Sequence, residues 1–278
     1  MTQNQGPSIE SDRLVFVAGL HRSGTTPLAR LLAQHPDVSG FRETGVKEDE
    51  GQHLQVVYPS AREYGGAGKF AFDSRSHLTE ASPLAIPDNA ALLLDQWSTH
   101  WDLSRRLLLE KSPPNLVMTR FLQHLFAQAR ILVVVRHPIV VALSTSKWNG
   151  PVAGLAGLID HWLVAHETFL ADAAHLRHLH VVRYEDLVDA PSTTLSRVGE
   201  FLGLESSVPS DSLDSRRSER YATAWTDLKA SRSPLARWRV HRLRSRFADR
   251  IAAFGYDFDD LDHHGRFPQL PSVRQPPT

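Results

Sequence analysis

Residues Leu14–Thr26 read LVFVAGLHRSGTT, and PLARLLAQH follows at 27–35. The apolar run Leu14–Gly19 has the length and composition of a buried strand. A glycine turn, one basic residue and Ser-Gly-Thr-Thr come next. Pro27 suits the first turn of a helix, and Leu28, Leu31 and Leu32 give that helix an apolar face. Strand, tight turn and helix N-terminus is the build of an anion-cradling loop. Unpaired backbone N–H groups and the positive end of the helix dipole converge there. Gly19–Thr26 keeps the G-x-x-x-x-G frame of a phosphate loop, but Thr25 stands where an NTPase places its lysine. The cation comes earlier, as Arg22. An ordinary strand-to-helix turn would account for Gly24-Thr25-Thr26 but not for the whole frame.

The chain has 278 residues, no cysteine, and 31 acidic side chains against 31 lysines and arginines. That length suits one large α/β domain with a well-buried core. The expectation is a single domain over 1–278, with loose ends at 1–12 and 263–278. No disulfide framework is possible. The opening MTQNQGPSIESDR is polar, and no run approaches membrane-spanning length, so a cytoplasmic protein that does not span a membrane is expected. Zero net charge argues against a general nucleic-acid binder. The balance hides an asymmetry. Residues 216–250 carry eleven lysines and arginines against Glu219, Asp227 and Asp249. This is a solvated basic helix face or a wall that attracts an anionic ligand.

Strand and helix signals alternate beyond the first loop. Val38–Gly40 is a short second strand. Residues 44–82 are polar, glycine-containing and without periodicity, as in a lid or substrate-binding segment. Asn89–Trp101 reads as a helix, through Leu92, Leu93, Trp97 and Trp101. RRLLLEKSPPN is a strand ending at Glu110-Lys111, with helix over Leu116–Phe126. ILVVVRHP (131–138) is the clearest buried strand, followed by helix over Pro138–Trp148. Leu155 to Leu170 trace one face of a long helix. HVVRYEDL (180–187) reads as a further strand, Pro191–Leu202 as a helix closed by Gly203, and Leu235–Phe254 as the last helix. The alternation implies a parallel sheet covered on both faces, with a phosphate-loop-like first unit.

Taken together, RSGTT, the strand ILVVVR with Ser144 eight residues after Arg136, and RYEDL resemble the PAPS-dependent sulfotransferase family, over roughly residues 13–205. PAPS is 3′-phosphoadenylyl sulfate, the sulfuryl donor. RSGTT is similar to the family's 5′-phosphosulfate loop in the arginine form of tyrosylprotein, carbohydrate and many bacterial sulfotransferases. The resemblance implies that Arg22, Ser23, Gly24, Thr25 and Thr26 hold the 5′ end of the donor. It implies that Arg136 and Ser144 hold its 3′-phosphate, and that Tyr184 approaches the nucleotide, although a core-packing tyrosine fits as well. The chemistry of Arg136 agrees independently. An NTPase strand here would end in an aspartate for Mg²⁺, whereas a guanidinium suits a phosphate. A structural ion pair at a strand end is the plainer alternative.

A hydroxyl acceptor must lose its proton as it attacks sulfur. In tyrosylprotein sulfotransferases a glutamate followed by threonine lies just beyond a His-Pro turn. Here His35-Pro36 and Glu43-Thr44 match that spacing, which makes Glu43 the candidate general base, with His53 next. A surface carboxylate beside Arg42 is the alternative for Glu43. Lys111 matches the lysine that the same branch uses to neutralise the leaving phosphate. No histidine or carboxylate cluster has metal-ligand spacing, so no metal is expected. Trp97, Trp101, Trp148 and Trp162 read as core or pocket wall. The expected function is sulfuryl transfer from PAPS to a hydroxyl of a small-molecule, glycolipid or carbohydrate acceptor. Peptide tyrosine remains an alternative acceptor. A phosphate-loop kinase and a non-catalytic binding module fit less well, given Thr25, Arg136 and the set Arg22, Glu43 and Lys111. The oligomeric state is left open.

Overall fold

The computed structural model describes residues 9–149, 154–209 and 216–270, without the side chains of 148, 149 and 216–219. Trp148, expected in the core or a pocket wall, therefore falls outside the described side chains. So do residues 1–8 and 271–278 of the two expected loose ends.

Five strands, β1 (Leu14–Gly19), β2 (Val38–Gly40), β3 (Leu107–Lys111), β4 (Arg130–Val135) and β5 (Leu179–Arg183), form one sheet in the order β2-β3-β1-β4-β5. Every pairing is parallel. Alternate residues of one strand enter opposite cores. Leu14, Phe16, Ala18, Ile131, Val133 and Val135 face one, and Val15, Val17, Leu132 and Val134 face the other. Two-sided burial is why these strands are near-continuous apolar runs. The fold is α/β, as expected.

Helices α1 (Thr25–Leu32), α2 (Pro87–Ser98), α3 (Thr119–Leu125), α4 (Pro138–Asn149), α5 (Leu155–Ala173), α6 (Tyr184–Asp189), α7 (Pro191–Leu202), α8 (Arg216–Ala230) and α9 (Pro234–Ala252) cover the sheet. The chain leaves β1 towards the β2 edge and leaves β4 towards β5. The C-terminal ends of the neighbours β1 and β4 thus flank a topological switch point, where open α/β sheets bind ligands.

Several boundaries differ from expectation. HVVRYEDL is strand only to Arg183. Tyr184 opens α6, whose first turn carries Glu185 and Asp186, a placement that the helix dipole favours. Pro113–Val117 is a 3-10 turn, and α3 begins at Thr119. The α2 helix stops at Ser98 and turns Leu92 outwards, while the buried Trp101 beyond it donates its indole N–H to the Leu109 carbonyl at 3.0 Å. Residues 44–82 are a chain of short 3-10 turns around buried Tyr58, Ala61 and Phe70. Near the ends, Ile9 is buried, and Gly265 bonds Gly255.

Candidate active site

The loop after β1 is built on unusual backbone. Arg22 has φ 72° and Gly24 φ 103°. A Cβ on Gly24 would lie 2.2 Å from the Tyr184 ring. Only glycine admits both that conformation and that contact. Thr25 and Thr26 then start α1, so its first N–H groups open beside the loop. Ser23 is fully buried, and its Oγ has no hydrogen-bond partner among the described residues.

Arg136 follows β4 directly. Its Nη1 donates to the Arg22 carbonyl at 3.1 Å, and its guanidinium lies 4.1 Å from the centroid of the Tyr184 ring. Burial lowers its pKa, without threatening its charge. Arg22 Nε donates to Ser144 Oγ, on α4, at 2.8 Å. The Tyr221 hydroxyl lies 2.9 Å from the same oxygen, with Arg220 Nη2 3.0 Å from the phenol. Burial pushes the Tyr221 phenol up, but the bonds to Ser144 and Arg22 and the charges of Arg220 and Lys147 bring it below its usual value.

These groups line one cavity of about 780 Å³. It brings together Arg22, Gly24, Thr25, Thr26, Arg136, Ser144 and Tyr184 from the expected set. Tyr184 is both buried and a wall of the cavity. His53 also lines it, whereas Glu43 and Lys111 do not. Those two lie in an adjoining cavity of about 390 Å³, which shares Thr26, Arg30 and Glu48 with the first. Glu43 is exposed, with φ 52°. Lys111 is buried, its Nζ donating to Glu50 Oε1 at 3.2 Å and to the Glu48 carbonyl at 2.9 Å.

Sequence reasoning missed five contributors, His21 among them. Glu50 and Arg62 come from the aperiodic stretch, and Arg220 and Tyr221 from α8. The basic composition of 216–250 was the only signal for that last pair. His21, beside Arg22, was also passed over. It is half-buried, its pKa is lowered to about 3 by desolvation and then by Lys47 and Lys111, and it lines the cavity as a neutral ring. Glu110, in the strand below, is pushed up to about 7 by burial against the bonds from Ser112 and Asn115.

An α/β fold with a helix-N-terminal loop and two arginines at the sheet's switch point has the build of an anion-binding site. Residues 15–208 match the profile of the Sulfotransferase family, and the chain belongs to that family. Nodulation protein NoeE of Sinorhizobium fredii (strain NBRC 101917 / NGR234) is 27% identical over 216 residues, covering 69% of this chain and 50% of that protein. A putative protein-tyrosine sulfotransferase of Caenorhabditis briggsae is 24% identical, covering 70% of this chain and 66% of its own. The chain thus spans half to two thirds of the length of these relatives. The sulfotransferase domain from the curacin biosynthetic pathway shares the fold, with TM-score 0.50 and 19% identity over 84% of this chain and 96% of that one.

Proposed function

We propose that this chain moves a sulfuryl group from 3′-phosphoadenylyl sulfate to a hydroxyl of a small-molecule, glycolipid or carbohydrate acceptor. One observation carries the reading: Arg22, Gly24, Thr25 and Thr26 of the loop and Arg136 with Ser144 face a single cavity at the switch point. A nucleotide with anionic groups at both its 5′ and 3′ positions needs two cationic anchors, and the cavity has one at each strand end. The loop is held against the Tyr184 ring, where Gly24 has no room for a side chain. Arg136 lies over the Tyr184 ring, and its guanidinium offers in-plane N–H donors of the geometry that phosphate oxygens accept.

Arg22, Ser23, Gly24, Thr25 and Thr26 hold the 5′ end of the donor, and Arg136 and Ser144 its 3′-phosphate, with Tyr184 as the nucleotide wall. Lys111 stabilises charge on the phosphate oxygen released as the acceptor oxygen bonds to sulfur and the old S–O bond breaks. Glu43 takes the acceptor's proton. No step requires a resident metal, because Arg136 stands where a phosphoryl-transfer enzyme places its Mg²⁺-binding aspartate. Among the described residues, no helix is long and apolar enough to cross a membrane, and the reading places the protein in the cytoplasm.

Peptide tyrosine is the second acceptor reading. The spacing of Glu43-Thr44 and the relative named as a putative protein-tyrosine sulfotransferase favour it. His53 is the second candidate base, because it lines the donor cavity. Calorimetry with adenosine 3′,5′-bisphosphate, with and without EDTA, tests the donor assignment. Binding is expected to be unchanged by EDTA. Equal or tighter binding of ATP with Mg²⁺ would overturn the assignment in favour of a kinase.

A further inference from the structure

Helix α9 has two unlike faces. Val240, Leu243, Phe247 and Ile251 are buried against the body of the protein. The first three turns of the opposite face carry Leu235, Trp238, Arg239 and Arg242. Leu235 and Trp238 are 55% and 53% exposed. Residues 228–248 contain Lys229 and six arginines, and no carboxylate. Part of that charge is used internally. Arg244 pairs with Asp259, and Arg246 with Asp160 at 2.7 Å. Arg232, Arg237, Arg239 and Arg242 are exposed and make no ion pair among the described residues. Arg242 lies over the Trp238 ring at 5.3 Å. The acid on this face, Asp249, lies about three turns beyond Trp238.

We infer that the outer face of α9 docks the protein on an anionic lipid surface. An interfacial helix combines apolar side chains that enter the headgroup boundary with cations that stay among the headgroups. Tryptophan prefers that boundary, and each nearby arginine is attracted by an anionic leaflet. Leu235 and Trp238 with Arg239 and Arg242 on the same face, and the exposed Arg232 just before the helix, have this composition. Two other occupants fit less well. Nucleic acid offers nothing to desolvate Leu235, and the helix presents a convex face with no groove to track a backbone. A symmetric dimer through this face would set these arginines against their own copies. The inference does not depend on the sulfuryl-transfer reading, because none of these side chains lines the candidate active site.

Sedimentation of the full chain with vesicles tests it. Vesicles of phosphatidylcholine mixed with phosphatidylglycerol should carry the protein down, and vesicles of phosphatidylcholine alone should not. Added salt should release it. Tryptophan emission should shift to the blue on binding, and Trp238→Phe should abolish that shift. Arg239→Gln and Arg242→Gln should each weaken binding about fivefold, and Trp238→Ala about tenfold. All three positions are exposed, so thermal melting should be unchanged. If a combined variant melts early, the single arginine variants carry the test. Equal binding to both vesicle types, no binding to either, or wild-type binding by the three variants would overturn the inference. Preferential binding of duplex DNA would instead assign the face to nucleic acid. A dimer that Trp238→Ala dissociates would assign it to a second copy.

Discussion

Arg136 is held from two directions, by the Tyr184 ring and by the Arg22 carbonyl. If it holds the 3′-phosphate as proposed, replacing it with alanine removes a charge-assisted contact of about 1.5–3 kcal/mol. Affinity for adenosine 3′,5′-bisphosphate should fall roughly 10- to 100-fold, while affinity for adenosine 5′-monophosphate changes little. An unchanged ratio of the two affinities in calorimetry would show that Arg136 does not read the 3′-phosphate. Glu43 is a different kind of residue, exposed and one cavity removed from the donor pocket. If it takes the acceptor's proton, Glu43→Gln should lower turnover by about 10²–10⁴ and leave nucleotide binding intact. Burial and then Lys47 and Lys111 hold His53 below its usual pKa despite the opposing pull of Glu50, so its ring is a neutral proton acceptor at pH 7. Normal turnover in Glu43→Gln with poor turnover in His53→Asn would transfer the role to His53.

The β1–α1 junction depends on Gly24 at left-handed φ and on the Tyr184 ring where a Cβ would go. Gly24→Ala should cost about 1–3 kcal/mol of stability in strain, read in denaturant unfolding, and should abolish nucleotide binding. Strand β3 holds a second sensitive element in Glu110, whose pKa rises to about 7 through burial. The folded state keeps that proton between about pH 4.5 and 7 after the unfolded chain has lost it. Stability contributed by this group is therefore present at acid pH and falls as pH rises through that window, by about 3 kcal/mol. Unfolding free energy of wild type relative to Glu110→Gln, followed from pH 5 to 8, should show that decline, and a flat difference would refute it. The β1 loop and β4 were legible in the sequence because glycine punctuation and unbroken apolar runs are local signals. The walls at Glu50, Arg62 and Tyr221 were not. Residues 44–82 are held by contacts such as Gln52 Oε1 accepting from Ala61 N–H at 2.8 Å, which follow no period. Tyr221 meets Ser144 across 77 positions of chain. The end of β5 was misread because Val181, Val182 and Tyr184 all suit a strand, and only the acids at 185 and 186 mark the helix start.

Four histidines are held as neutral rings across the molecule, the half-buried His21 and the buried His161 and His166 with pKa about 3 and the buried His137 about 4, each mainly through desolvation. Each folded pKa lies below the unfolded value, so the unfolded chain takes up protons first as pH falls. Their contribution is complete above about pH 6.5 and is lost below it, by roughly 2 kcal/mol each at about pH 5. Glu110 offsets about one of the four. Since a typical domain holds only about 5–15 kcal/mol, acid unfolding should begin near pH 5. Circular dichroism at stepped pH checks this, and native signal down to pH 3 would refute it. The order of strands has a further consequence, for biogenesis. Leu14 of the central strand pairs with Leu108, and Val15 with Arg130, partners 94 and 115 residues further along. At about 5–20 residues per second of synthesis, β1 waits roughly 6–23 seconds before both neighbours have been made. For that interval LVFVAG is an unpaired apolar strand at the ribosome, a natural client for a chaperone and the segment from which aggregation on overexpression would start.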